Sequence, residues 1–195
     1  MRERLRGIAP GWSRGIAFLG LAVLLAAGSA YGQSFAVGAG GVLLSDQGTL
    51  VDVNAFNRGG GFLFGELVID GSSLGHSANL QLRWTIFSLP GGEPSSPSLA
   101  GNSVLMLASY RFRAAWWQAG FFGGVGLYHF SPKDPEPGQV VVDPTETVVG
   151  FCGGIETLFQ VSRRFDFRLE LSGQFPRTQA SHKIVSLGAS VAYHF

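Results

Sequence analysis

The chain has 195 residues, a formal net charge of +1, 46% hydrophobic and 14% charged side chains, 29 glycines and one cysteine. That length holds one domain with a sizeable core, and its apolar content excludes intrinsic disorder. The single cysteine excludes a disulfide scaffold, and near-neutral charge without a basic cluster in the body of the chain argues against nucleic acid as a partner.

The first predicted element is an address. Arg2, Arg4, Arg6 and Arg14 precede an apolar run, Gly15–Ala27, which ends in small residues Gly28, Ser29 and Ala30. A basic end, a short apolar core and a small-residue cleavage site make a secretory signal peptide. Read instead as a retained helix, the run falls short of the roughly 20 residues that span a bilayer. Cleavage follows Ala30 or Gly32, with Gly32 preferred, which divides the chain into a signal peptide at 1–32 and a single domain at 33–195. No cysteine follows the site to carry a lipid anchor. Residues 33–195 keep ten basic and twelve acidic side chains, net −2. A water-facing surface carries roughly 25–35% charged residues, so much of this exterior is expected to face something other than water.

From there the sequence alternates with period two, the signature of strands. Strands are predicted over Phe35–Leu44 and Gly61–Ile69. In Asn79–Ile86, Leu80, Leu82, Trp84 and Ile86 share one face, and Asn79, Gln81, Arg83 and Thr85 the other. Ser103–Arg113, Trp116–Phe130 and Thr147–Leu158 follow. Phe165–Ser172 and Ile184–Phe195 complete a set of eight. Short links near 70–74, 114–115 and 159–164 alternate with long ones near 45–58, 89–102, 131–146 and 174–182. All eight prolines after residue 32 are expected in the long links and none within a strand, as a hydrogen-bonded ladder requires. Short turns at one rim and long loops at the other describe an all-β, eight-stranded antiparallel up-and-down barrel of the transmembrane type.

Alternation alone does not say which face is inside, and a soluble lipocalin-type barrel is the rival arrangement. Three features favour polar-in. The polar face is mostly small (Ser186, Gly188, Ser190 and Ala192; Gly120, Gly124 and Gly126), which suits a narrow eight-stranded interior. Glu66, Arg83, Arg111, Arg113, Glu156, Arg168 and Glu170 all fall on that face, and arginine pairs with carboxylates through a fork that suits confined space. Aromatics such as Trp84, Tyr110, Trp116, Trp117, Tyr128 and Tyr193 gather toward strand ends, as interfacial girdles do.

The chain closes on Val191-Ala192-Tyr193-His194-Phe195. This resembles the closing strand of bacterial outer-membrane barrels, and residues 33–195 resemble the small OmpA/OmpX-type and opacity-type barrel domains. The resemblance implies that Tyr193 and Phe195 are read by the barrel assembly machinery. It also implies an outer-membrane location, outer-membrane lipid and lipopolysaccharide as surroundings, and a monomer. The role it implies is structural or surface-interactive through the long loops, with a lumen plugged by side chains. No peptidoglycan-binding domain is expected after Phe195.

Motifs for chemistry are sparse. Gly71-Ser72-Ser73-Leu74-Gly75 spells the hydrolase elbow G-x-S-x-G, but in a short turn with no helix after it. His129-Phe130-Ser131 resembles the His-x-Ser pair of small-barrel lipid A deacylases, and Glu146 is the candidate carboxylate. That resemblance implies His as base, Ser as nucleophile and Glu as the orienting group. Pro132 replaces the asparagine that family carries next, and strand parity turns His129 outward and Glu146 inward. A deacylase and a narrow pore remain the alternatives. His76, His129, His182 and His194 have no metal-ligand spacing, Cys152 is a lone thiol, and neither metal nor cofactor is expected. The link around Asp134, Glu136, Asp143 and Glu146 is acidic against Lys133, a feature suited to divalent ions or a basic partner.

Overall fold

The computed structural model describes residues 33–45, 56–70, 78–89, 98–113, 116–133, 145–178 and 182–195. The predicted signal peptide, the turn holding Gly71–Gly75 and His76, and the acidic stretch from Asp134 to Asp143 lie outside the described residues. Eight strands follow in order: β1 (Gln33–Ser45), β2 (Phe56–Asp70), β3 (Ala78–Leu89), β4 (Ser98–Arg113), β5 (Trp117–Lys133), β6 (Glu146–Gln160), β7 (Phe165–Pro176) and β8 (Lys183–His194). Each pairs antiparallel with its neighbours in sequence, and β8 returns to β1 to close the barrel. No helix occurs among the described residues.

The strands run further toward the long-loop rim than their alternation predicts. Consequently Pro132 lies in β5 and Pro176 ends β7, against the expectation that strands hold no proline. Both sit where one edge has lost its neighbour. The β5–β6 ladder stops at Phe130 opposite Glu146, and the β7–β8 ladder stops at Gln174 opposite Ile184. A missing N–H is tolerated at such an edge.

The radial arrangement is the reverse of a soluble barrel. On β3 the burial alternates without a break: Leu80, Leu82, Trp84 and Ile86 are exposed, while Asn79, Gln81, Arg83 and Thr85 are buried. The outward apolar residues include Leu63 at 63% exposure, Met106 at 61% and Leu187 at 64%, whereas Arg83 and Arg168 stand at 3% and 2%. Charge is inside and hydrocarbon outside.

The interior has two layers. Toward the long-loop rim the inward positions are large and apolar, including Leu44, Phe62, Phe64, Phe87, Leu105, Leu107, Phe122 and Phe130. Toward the short-turn rim they are ionic and polar. The sequence reading expected a mostly small, polar inward face, so the apolar layer of large side chains is a difference. Its cause is space: inward glycines clear room for aromatic rings. At Gly101 a Cβ would collide with the Phe87 ring, and at Gly38 with the Phe64 ring.

Candidate functional site

Six of the seven predicted inward charges, Glu66, Arg83, Arg111, Glu156, Arg168 and Glu170, meet in one cluster at the level below the apolar layer. Glu66 and Arg83 are register partners on β2 and β3. Arg83 Nε donates to Glu66 Oε2 at 2.7 Å, while Nη1 and Nη2 donate to Glu170 Oε1 and Oε2 at 2.7 and 2.8 Å. Arg168 Nη1 donates to Glu66 Oε1 at 2.6 Å and reaches Glu156 Oε2 at 3.3 Å. Its Nε donates to Ser190 Oγ at 3.1 Å. Arg111 Nε donates to Glu156 Oε1 at 2.6 Å.

Three arginines and three glutamates from five strands therefore neutralise one another. Glu156 and Glu170 stand directly opposite across β6 and β7. Like charges in that position repel, and the guanidinium of Arg168 lies within 3.7 Å of both carboxylates. Above the cluster, Arg83 Cζ lies 4.7 Å from the Phe64 ring centroid and 5.3 Å from that of Phe122. Cation–π attraction thus joins the ionic layer to the apolar one. The Arg113 side chain lies outside the described residues.

Below this level the polar layer continues. Gln81 Nε2 donates to Ser109 Oγ at 3.0 Å. His194 Nε2 and Asp166 Oδ2 are 2.8 Å apart at the short-turn rim. That pair was not singled out from the sequence, although Asp166 and His194 both fall on the inward parity of their strands.

The three residues of the deacylase pattern are not assembled. His129 Nδ1 lies 2.8 Å from Thr147 Oγ1, its register partner on β6. Glu146 stands instead opposite Phe130, whose side chain is buried in the interior. His129 and Glu146 therefore belong to opposite faces of the sheet, and the hydroxyl of Thr147 occupies the place of an orienting carboxylate. Nothing on the sequence side marked Thr147 beyond its pairing position. Among the described residues, no group of three potential metal ligands occurs.

At the short-turn rim, outward aromatic rings link neighbouring strands. Tyr193 packs on Phe165 at 5.2 Å and on Phe195 at 5.3 Å, and Trp116 stacks on Phe159 at 5.9 Å. Phe195 is tied to the seam by its N–H, which donates to the Gln33 carbonyl at 3.1 Å.

No family model matches the chain, and no curated protein sequence does. Solved structures do match. Neisserial surface protein A aligns with a TM-score of 0.65 at 13% identity, over 84% of this chain and 97% of that one. The N-terminal β-barrel domain of Pseudomonas aeruginosa OprF aligns at 0.54 and 14%, over 84% and 99%. The outer-membrane protein OprG of the same organism aligns at 0.54 and 12%, over 85% and 96%. At these identities the likeness is one of fold: this chain has the eight-stranded closed antiparallel barrel of small bacterial outer-membrane proteins.

Proposed function

We propose that residues 33–195 form an outer-membrane barrel, exported by the signal peptide at 1–32, that serves a structural or surface-contact role through its long loops. In this reading the barrel stands as a monomer among outer-membrane lipid and lipopolysaccharide. Tyr193 and Phe195 present the aromatic end of β8 to the assembly machinery. The interior is closed to bulk solute by its own side chains, so the chain is not a wide pore, and a non-enzymatic role is supported by His129 and Glu146 lying on opposite faces of the sheet.

The observation that carries the reading is the inverted radial order, with ion pairs buried inside and leucine, methionine and tryptophan outside. Such a surface is stable in hydrocarbon, where a closed barrel leaves no unpaired edge. The two packed layers in series support a closed lumen: Phe87 and Phe130 meet edge to face at 5.6 Å, above the Arg83–Glu170 fork.

The test is the gel mobility of refolded protein in detergent, with and without boiling. A heat-dependent shift is expected. A protein that stays folded and soluble without detergent would overturn the membrane reading. Planar-bilayer recordings examine the lumen separately: no steady conductance is expected, and discrete open steps would sink the closed interior.

A further inference from the structure

We propose that the β6–β7 turn and the end of β8 form a site for the phosphodiester of an anionic glycerophospholipid, in the leaflet that borders the short-turn rim. This rests on the outer-membrane reading and goes beyond it by naming one headgroup and the residues that hold it, at the rim opposite the long loops.

The turn is built before any ligand arrives. The N–H groups of Val161 and Ser162 both donate to the Phe165 carbonyl at 3.0 Å. Ser162 Oγ accepts from the N–H groups of Arg164 and Phe165 at 3.2 and 3.1 Å. The Arg164 carbonyl accepts from the His194 N–H at 2.9 Å, which ties the turn to β8. The backbone is thus fixed around Arg163 and Arg164, and both residues are exposed. Arg164 Nη1 donates to Tyr193 Oη at 3.4 Å, which directs the guanidinium along β8. The Tyr193 ring packs on Phe165 and Phe195, so its hydroxyl stands in the aromatic belt, at the depth where headgroups meet water. Having accepted from Arg164, that hydroxyl keeps its own proton to donate. One phosphodiester can therefore receive a guanidinium fork and a phenol O–H together, with Arg163 beside them as a second cation.

The sequence leaves this corner without an acidic side chain. Of the twelve acidic residues in 33–195, seven fall in the long links or at the strand ends that join them, at the opposite rim. Glu66, Glu156 and Glu170 are in the buried cluster, and Asp166 is turned inward onto His194. Asp70 ends β2, across the closed ring from the β6–β7 turn. Phe195 is tied by its N–H to Gln33, on the far side of β8 from the turn. Among the described residues neither Arg163 nor Arg164 forms an ion pair, with the carboxyl group of Phe195 or any other. Two adjacent cations at belt depth favour a headgroup of net negative charge over a zwitterionic one, whose own cation they repel.

The experiment is native mass spectrometry of the refolded barrel in detergent with phosphatidylglycerol or phosphatidylcholine. The proteins are wild type, Arg163→Gln combined with Arg164→Gln, Tyr193→Phe, Ser162→Ala and Arg177→Gln, each first checked for the heat-dependent gel shift. Wild type is expected to retain phosphatidylglycerol about tenfold better. The double arginine variant is expected to abolish that preference. Tyr193→Phe, which keeps the ring, and Ser162→Ala, which frees the turn, are expected to reduce it to about threefold. Arg177→Gln, at the opposite rim, is expected to leave it unchanged. Equal retention of the two lipids by wild type, an undiminished preference in the double variant, or a loss in Arg177→Gln as large as in the double variant would overturn the site while leaving the barrel reading intact. Inorganic phosphate at the lipid's concentration is expected not to displace it, and full displacement would assign the site to the free anion and overturn the lipid. Absence of the gel shift in wild type would overturn the membrane reading first.

Discussion

The two halves of the barrel interior share one strand parity and differ in everything else. Toward the long loops, inward side chains are leucines and aromatic rings held by shape. Toward the short turns they are arginines and glutamates held by direction. Apolar packing tolerates adjustment of rotamers and gives way by degrees. A buried ion network does not, because removing one member strands its partners in a poorly solvating interior. The same geometric position thus has a different failure mode depending on its height in the barrel.

The largest effect is expected from the ionic half. Glu66→Ala deprives both Arg83 and Arg168 of a carboxylate and should lower stability by about 3–5 kcal/mol in urea titrations of the vesicle-folded barrel. Leu105→Ala in the apolar half should cost about 2–5 kcal/mol in the same assay. If the two layers close the lumen in series, neither variant alone yields steady conductance, and only the double variant does. A single variant that conducts would show that one layer carries the closure.

Glycines sharpen the comparison further. Gly101→Ala pushes a methyl into the Phe87 ring and should cost about 1–3 kcal/mol by overpacking. Gly153→Ala faces outward, where its methyl meets only the Phe122 carbonyl oxygen at 3.6 Å, and should be neutral or gain about 0.4–1 kcal/mol. Equal losses at both would contradict the assignment of faces. The smallest effect belongs to the rim, where the His194 side chain is 40% exposed. His194→Ala should shift the urea midpoint by less than about 1 kcal/mol equivalent, since solvent screens such pairs.

Period two makes the eight strands and the faces of Glu66, Arg83, Arg111, Glu156, Arg168 and Glu170 readable, because one residue decides the side of its whole strand. The parity of His129 against Glu146 is readable in the same way. What alternation hides is the apolar layer. In Phe62-Leu63-Phe64 or Leu105-Met106-Leu107, inward and outward residues are equally hydrophobic, so the segment has no period to read. Which guanidinium meets which carboxylate is hidden too: Arg83 and Glu170 are 87 positions apart, and their meeting depends on how the closed sheet is staggered. Strand ends were short for a related reason, since pairing continues past the last clear alternation into Pro132 and Pro176.

The seam between β1 and β8 has a consequence for the order of events. Ser34 lies opposite His194 and Ser45 opposite Lys183, so the first and last strands form contacts with the greatest sequence separation in the domain. Such distant pairings slow folding, because chain closure must precede any return from it. Until they form, both edges carry open backbone groups that hydrocarbon cannot satisfy. On the membrane reading proposed above, a chain lacking β8 would leave the β1 and β7 edges unpaired in hydrocarbon, however well its earlier strands are paired.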